Sequence, residues 1–172
     1  MKQRSPAMSA LILTWITLQC PYAHAAADKP IPIAVIDLDF RDTSDEPTDQ
    51  NKAHSERLRL FMEALRADLT RNGQFEVVEL KCDPAPCSIE DSDSESLLNA
   101  AKAAGASLML YGGIHKASTL IQFANVVVAD VERDQVVVRR SLSFRGDDDR
   151  SWQRAEKFVA KQLNEELAGW GR

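Results

Sequence analysis

The order in which strand-like and helix-like segments follow one another constrains the fold of this chain most. Residues 31–40 (IPIAVIDLDF) begin as an apolar run and end in alternation, which predicts a strand that reaches solvent at its carboxyl end. Residues 52–72 carry leucine and phenylalanine at helical spacing, and Gly73 ends that pattern. Residues 75–80 (FEVVEL) predict the next strand. Strand, helix and strand in this order predict a parallel pair joined by a crossover helix.

The second half of the chain predicts a shorter helix and an antiparallel meander. Residues 92–95 (SDSE) have the spacing of a capping box and open an alanine-rich helix that ends at Gly105. Residues 107–111 predict a third strand. Two long β-branched segments, 120–131 and 135–144, are separated by three polar residues and predict a hairpin.

These elements predict an α/β (α+β) fold with a single mixed sheet and helices packed on it. The predicted order is β-α-β-α-β-β-β-α, in which the last helix follows three aspartates at 147–149. Those aspartates are expected to cap the helix and to complement its dipole. The sequence contains no internal repeat, and we predict one domain over residues 26–172. The inward stripe expected on the last helix is Trp152, Ala155, Val159, Leu163 and Leu167.

The amino terminus has the three parts of a secretory signal peptide. A basic start precedes an apolar run at residues 7–18, which is shorter than the roughly 20 residues needed to span a bilayer. Ala-His-Ala at 23–25 is a small-x-small exit. We predict that residues 1–25 are removed and that the product is periplasmic, without membrane insertion after cleavage. An uncleaved anchor, or a lipoprotein beginning at Cys20, is the weaker alternative.

The net charge argues against two classes of partner. The chain has 21 basic and 26 acidic residues, and residues 1–25 contain two of the basic ones and none of the acidic ones. The processed chain would therefore carry 19 basic and 26 acidic residues, a net charge of −7. Nucleic acids and anionic membranes require a basic field, so neither is a predicted partner. No phosphate loop or dinucleotide fingerprint is present, and no cofactor is predicted.

Cys82 and Cys87 are the two cysteines that remain after removal of the signal. A close, even pair in an oxidising compartment predicts a disulfide. A redox motif would have two residues between its cysteines, whereas four lie here. A zinc site would need two further ligands nearby. Redox and metal roles remain the weaker alternatives.

Acidic residues at the end of the first strand indicate a possible metal site. Asp37, Asp39 and Asp42 lie where α/β sheets place their ligands, and carboxylates are ligands for hard cations. We expect Asp37 and Asp39 to share a strand face, and His115 is the further candidate ligand. The competing interpretation is a solvated strand end followed by a turn.

The sequence contains no recognisable catalytic constellation. Hydrolysis by a nucleophile needs a serine or cysteine, a histidine within reach and an orienting carboxylate, and there is no Gly-x-Ser-x-Gly elbow. His54 falls in the first turn of a helix, where we expect a surface histidine. His115 follows a Gly-Gly pair and is expected to be an ordinary strand residue. We therefore predict a protein without catalytic activity, and a hydrolase is the weaker alternative.

Several segments resemble a family of secreted proteobacterial proteins of unknown function. They include IAVIDLDF at 33–40, Lys-x-Ser-x-Leu-Ile at 116–121 and Arg-Gly-x-x-Asp-x-Ser-Trp at 145–152. The resemblance covers nearly the whole processed chain. Its layout is similar to the amino-terminal domain of TolB and to curli-secretion-type envelope proteins, which act as interaction modules. The resemblance implies a location in the cell envelope and a mixed sheet with helices on one side.

We therefore expect a protein-interaction surface near the junction between the hairpin and the last helix, where an envelope protein would bind. An exposed edge of the hairpin could also pair with a strand of that partner. The alternative function is a periplasmic protein that binds a small ligand or a divalent metal through the acidic strand end. The sequence indicates no oligomeric state. The binding residues expected at the junction are Lys116, Ser118, Arg145, Asp149 and Trp152.

Overall fold

The computed structural model of the protein describes residues 29–82 and 87–170. The predicted signal peptide, residues 1–25, lies outside the described residues. Within the described part, no helix is long and apolar enough to cross a membrane. The elements of this part are β1 (Ile31–Val35), β2 (Asp39–Asp42), α1 (Asn51–Thr70), β3 (Phe75–Val78), α2 (Ser94–Ala103), β4 (Leu108–Lys116), β5 (Ile121–Asp130), β6 (Gln135–Arg145) and α3 (Asp149–Glu166).

The strands form one mixed sheet. Its order is β3-β1-β4-β5-β6, and β2 pairs with the carboxyl half of β4. The pairs β1–β3, β1–β4 and β2–β4 are parallel. Strands β4, β5 and β6 form an antiparallel meander. This arrangement confirms the predicted α/β (α+β) class with a single mixed sheet and helices packed on it.

Strands β1 and β2 are the two halves of the predicted first strand, separated by an irregularity. Four residue steps lead from the last pair of β1 to the first pair of β2, against three steps along β4. At this point the Asp37 amide donates to the Cys87 carbonyl, 2.9 Å away. Asp37 then contacts Arg66 of α1, while Asp39 faces the segment that follows the disulfide. The expectation that Asp37 and Asp39 share a face is therefore wrong, because the extra residue changes the alternation.

Helices cover the two sheet faces unequally. The larger core lies between the sheet and helices α1 and α3, where Leu65 and Leu69 of α1 are fully buried. On the other face, α2 packs Leu97 and Ala101 over Ala34 and Met109. The stripe predicted for α3 is confirmed, because all five of its residues are buried: Trp152, Ala155, Val159, Leu163 and Leu167.

Aspartate side chains cap the amino termini of α2 and α3. The Asp148 carboxylate accepts from the Ser151 amide at 2.7 Å, and the Asp93 carboxylate accepts from the Ser96 amide at 2.9 Å. Each satisfies an amide that has no partner inside the helix. The helix start expected at Ser92 therefore lies one residue later. Only one of the three aspartates at 147–149 provides the side-chain cap of α3.

A disulfide joins Cys82 and Cys87. The loop-entropy model gives so short a ring only about 2 kcal/mol of stabilisation, less than a typical domain's free energy of unfolding. We expect the Cys82→Ser/Cys87→Ser variant to remain folded at 25 °C with a lower urea midpoint, measured by circular dichroism. A variant that is unfolded in buffer would show that the disulfide is essential.

Candidate functional site

Lys116 lies at the centre of an ionic cluster at the carboxyl end of β4. It shares the sheet face of Ile114, which α1 and α3 cover, and its side chain is 0% exposed. The Nζ atom lies 2.7 Å from Glu46 Oε2 and 2.8 Å from Asp147 Oδ2. Asp42 Oδ2 lies further away, at 3.6 Å. A buried ammonium is thus surrounded by three carboxylates, which compensate its lost hydration.

Asp147 connects this lysine to α1 and β5. Its Oδ2 atom accepts from Lys116 and lies 2.8 Å from His54 Nε2. Its Oδ1 atom accepts from Arg57 Nη1 at 3.0 Å and from Gln122 Nε2 at 3.2 Å. We use the name ionic cluster for Lys116, Asp42, Glu46, His54, Arg57 and Asp147.

The cluster changes the ionisation of its members. Burial alone would raise the pKa of Asp147, but hydrogen bonds from Lys116 and His54 outweigh it and lower the pKa to about 2. Burial would lower the pKa of Lys116, but its hydrogen bonds to Asp147 and Glu46 outweigh that and raise the pKa. Both groups are therefore charged at neutral pH, as an ion pair and not as a neutral pair.

His54 is the residue whose position differs most from the sequence-based expectation. It is 1% exposed, so the prediction of a surface histidine is wrong. Its ring lies 4.5 Å from that of Phe40 and 6.3 Å from that of Trp152, measured between centroids. The ring thus packs between the apolar core and Asp147, because one edge of imidazole can bond the carboxylate while its faces contact aromatic rings.

The ionic cluster joins four separate segments of the chain. Asp42 and Glu46 belong to the end of β2 and the loop after it, His54 and Arg57 to the first turns of α1. Lys116 ends β4, and Asp147 precedes α3. Each charge in the cluster is compensated by another member, and Lys116 has no exposed surface through which to reach a substrate. The arrangement is suited to holding loops in place.

The opposite face of the sheet is uncovered over the carboxyl halves of β2, β4 and β6 and the amino half of β5. On this side of the described chain, α2 and the segment at Ile89 cover the beginning of β4 and the facing ends of β5 and β6, at Ala129 and Val136. Strand pairing places Arg41, His115, Phe123 and Ser143 in one row across the four strands. His115 bonds Thr43 Oγ1 at 2.7 Å, and its ring stacks near Phe123. We use the name open face for this surface, whose charged residues include Arg41, Arg139 and Arg145.

Three arginines of the open face have no anionic partner. Arg41, Arg139 and Arg145 are exposed, and none pairs with a carboxylate within residues 29–82 and 87–170. In contrast, Arg66 and Arg140 are paired with Asp37 and Glu166. The open face thus presents three arginines without a carboxylate partner in a chain whose net charge is −5.

The five predicted binding residues lie in three different surroundings. Lys116 and Trp152 are buried on the helix side, so the expectation that Lys116 forms part of the surface is wrong. Ser118 Oγ accepts from the Ile121 amide at 3.1 Å and thereby shapes the β4–β5 turn. Asp149 is 75% exposed and accepts from Arg57 Nε at 2.9 Å. Arg145 lies on the open face.

The structure does not bring the four candidate metal ligands together. Asp37 pairs with Arg66 at 2.6 Å, and Asp42 belongs to the ionic cluster. Asp39 lies on the opposite side, where burial is the main reason that its pKa is raised. His115 bonds Thr43 on the open face. Among the described residues, no three side chains of histidine, cysteine, aspartate or glutamate are grouped in a way that could hold a metal ion.

Sequence reasoning did not identify three members of the site. Glu46, Arg57 and Gln122 come from a loop, a helix and a strand, and they meet only in the folded chain. The sequence contained one signal for Lys116, which lies at an alternate position of β4 and therefore on the same sheet face as the apolar residues of that strand. A lysine at that position predicts a buried charge, which must find carboxylates.

The fold and the site define a class of protein: a small α+β domain with one open sheet face and a buried ionic cluster at the end of its parallel strands. The chain belongs to the DUF3280 family, whose model is described as protein of unknown function (DUF2380) and matches residues 32–163. The expected resemblance to a family of unknown function is thus confirmed. No curated protein matches the chain.

Solved structures share this fold at low sequence identity. TolB from Acinetobacter baumannii has a TM-score of 0.51 and 18% identity, covering 83% of this chain and 29% of TolB. The PelC dodecamer from Paraburkholderia phytofirmans has a TM-score of 0.51 and 14% identity, covering 81% and 88%. A hypothetical protein from Chlamydia trachomatis has a TM-score of 0.54 and 13% identity, covering 80% and 98%. The chain spans less than a third of TolB, and these similarities show the fold alone.

Proposed function

We propose that the protein is a non-catalytic interaction domain of the cell envelope that binds an acidic segment of another envelope protein through its open face. The carrying observation is the set of three exposed, unpaired arginines at positions 41, 139 and 145. Arg41 lies three strand spacings, about 14 Å, from Ser143 in its pairing row, and Arg145 lies two residues beyond Ser143 on β6. That spacing suits a partner segment with several carboxylates, each of which can form a bidentate pair with a guanidinium.

The ionic cluster supports an indirect role for Lys116 in this proposal. Lys116 and His115 are neighbours on β4, so their side chains point to opposite faces. Fixing Lys116 among carboxylates holds the end of β4 and, with it, His115 on the open face. The predicted binding residue Lys116 thus acts as a positioning residue, and Arg145 makes the contact. Ser118 acts in the same way by shaping the neighbouring turn.

The same cluster supports the proposal that the protein is not an enzyme. A general base or nucleophile needs a partner that the substrate can reach, yet the lysine here is fully buried and its carboxylates are engaged with cations. The fold is also compatible with protein–protein assembly, since PelC is a dodecamer. The export signal predicted for residues 1–25 and the disulfide at Cys82 and Cys87 support a periplasmic location.

Charge reversal on the open face is expected to weaken partner binding. The Arg41→Glu/Arg145→Glu variant should recover about tenfold less of its partner than the wild type, because two attractive contacts become repulsive. The measurement is quantitative capture from periplasmic extract at low and high salt, followed by size-exclusion chromatography of the purified domain. Recovery by the wild type should fall as salt rises, since exposed charge pairs are screened.

The matched control carries the same charge change on the helix side. Lys52→Glu/Lys161→Glu alters exposed residues of α1 and α3, and Lys161 is 67% exposed. This control should capture the partner as the wild type does. Equal recovery by both double variants would reject the open face as the binding surface. If the domain self-associates in chromatography and captures no other protein, the proposal of an envelope partner is wrong and the open face binds a second copy of the chain.

A further inference from the structure

Strand β6 is an edge of the mixed sheet, and no described strand pairs with its outer side. The Gly146 amide donates to the Leu120 carbonyl at 3.0 Å, and this pair continues the register of β5 and β6. In an antiparallel pair, residues that bond each other alternate with residues whose amides and carbonyls point away. Counting back from Gly146 therefore identifies the residues of the regular part of β6 whose backbone groups point outwards. They are Arg139, Ser141, Ser143 and Arg145.

Most of these outward backbone groups have no partner. The Arg139 carbonyl accepts from Arg140 Nη1 at 2.8 Å, and within the described chain no other outward group of residues 139–145 has a hydrogen-bond partner. The segment contains no proline, and the register shift of β6 lies before it, opposite Val128 and Ala129. An exposed edge without these interruptions is a template for another strand.

On the open face, the side chains beside this edge are basic or small. Arg139 and Arg145 flank Ser141 and Ser143, and all four residues are exposed. Residues directly opposite each other in neighbouring strands point to the same face, and opposite charges there stabilise the pair. An added strand with acidic residues on this face is therefore favoured. A second copy of β6 centred on the same residues would place Arg139 opposite Arg145, and this repulsion disfavours a symmetric dimer.

On the helix side, apolar groups lie beside the same edge. Leu142 and Phe144 are only partly buried, and Phe158 of α3 is 47% exposed. Leu142 and Phe158 both line a cavity of about 180 Å³ to which α1 contributes no residue. Helix α3 thus leaves apolar surface exposed beside β6, and apolar side chains on the helix side of an added strand would bury it.

We propose that the acidic partner segment joins the sheet as an additional strand beside β6, with acidic residues on the open face alternating with apolar residues on the helix side. The inference rests on the proposed function and adds the conformation and side-chain pattern of the partner. Main-chain hydrogen bonds to Ser141 and Ser143 supply affinity, and the two rows of side chains supply selectivity.

Three peptides of eight residues test the side-chain pattern by calorimetric titration into the purified protein. One alternates glutamate and valine, the second has four glutamates followed by four valines, and the third alternates lysine and valine. The first should bind about tenfold more tightly than either of the others, because it alone places acidic and apolar side chains on separate faces with the favourable charge.

Backbone methylation tests the strand conformation. Every second amide of an added strand faces β6, so N-methylation of one alternate set of amides in the glutamate–valine peptide should abolish binding, whereas methylation of the other set should not. Hydrogen exchange followed by NMR should slow at the Ser141 and Ser143 amides in the complex. The Leu142 amide, which faces β5, is the internal reference.

The Phe158→Ser variant tests the apolar row. It should bind the glutamate–valine peptide about threefold to tenfold more weakly, since it removes apolar surface that the added strand buries. Leu60→Ser is the matched control, because Leu60 is 43% exposed on α1 and lies outside the cavity beside β6. Its affinity should equal that of the wild type.

Equal binding of the two glutamate peptides, tolerance of both methylation patterns, preference for the lysine peptide, or no binding of any peptide would each overturn the added strand. Slow exchange of the Ser141 and Ser143 amides in the free protein, together with a dimer in chromatography, would also overturn it and assign the edge to a second copy. The capture experiment decides the proposed function separately: loss of the partner by Arg41→Glu/Arg145→Glu retains the open face even where strand addition fails.

Discussion

Replacing Asp147 with asparagine is expected to destabilise the domain by about 3–5 kcal/mol at pH 7, the cost typical of removing one partner from a buried ion pair. The change removes the negative charge that compensates the fully buried Lys116, and it replaces one of the two acceptor oxygens, which serve His54 and Arg57, by an amide group that can only donate. That loss is a large part of the stability of an ordinary domain. Urea denaturation followed by circular dichroism measures it directly.

The Asp149→Asn variant, two residues along the chain, is the matched control for Asp147. Asp149 is 75% exposed and pairs only with Arg57, so its replacement should cost less than about 1 kcal/mol. If the two variants lose the same stability, the buried cluster contributes no more than a surface pair. Loss of less than about 1 kcal/mol by both would contradict the role assigned to Asp147.

The pH dependence of unfolding provides a second test of the stabilisation by Asp147. The pKa of Asp147 is lowered in the folded state from 3.8 to about 2, so the unfolded chain binds its proton first as the pH falls. The stabilisation is therefore fully present above pH 4 and is lost as the pH falls towards 2. The difference between the wild type and Asp147→Asn should shrink over that interval.

The order of elements could be predicted because it depends on local periodicity. The α3 stripe that begins with Trp152 repeats at helical spacing, and its burial follows from sequence alone. The interruption between β1 and β2 could not be predicted in this way. The extra residue near Asp37 does not change the apolar pattern of the sequence, and only the pairing register with β4 reveals it.

The ionic cluster could not be predicted from the sequence, because its members lie far apart along the chain. Lys116 meets Glu46 across 70 residues, and His54 meets Asp147 across 93. A polar residue at a strand end usually indicates solvent, and this general expectation led to the surface assignment of Lys116. The fold reverses it, because Asp42, Glu46 and Asp147 surround the ammonium group and the side chain has no exposed surface. The open face could be predicted only after the alternation of β4 was known.

Glu156→Gln is expected to stabilise the protein by about 2–3 kcal/mol at pH 8 and to have little effect at pH 4. The pKa of Glu156 is raised from 4.5 to about 7, mainly by burial and further by Asp68, against the opposing charges of Lys157 and Arg71. Each unit of difference corresponds to about 1.4 kcal/mol. Between pH 4.5 and 7 the folded state binds the proton and the unfolded state has released it, so the wild type loses stability as the pH rises.

Glutamine has the shape of the protonated side chain but cannot ionise, so the variant should not show this loss. Thermal unfolding from pH 4 to pH 8 measures the difference, and a gain of this size corresponds to a Tm higher by about 5–10 °C at pH 8 for a domain of this length. The exposed Glu165→Gln change should leave the pH profile of the wild type unaltered. A constant difference between Glu156→Gln and the wild type at every pH would mean that packing, and not ionisation, governs this position.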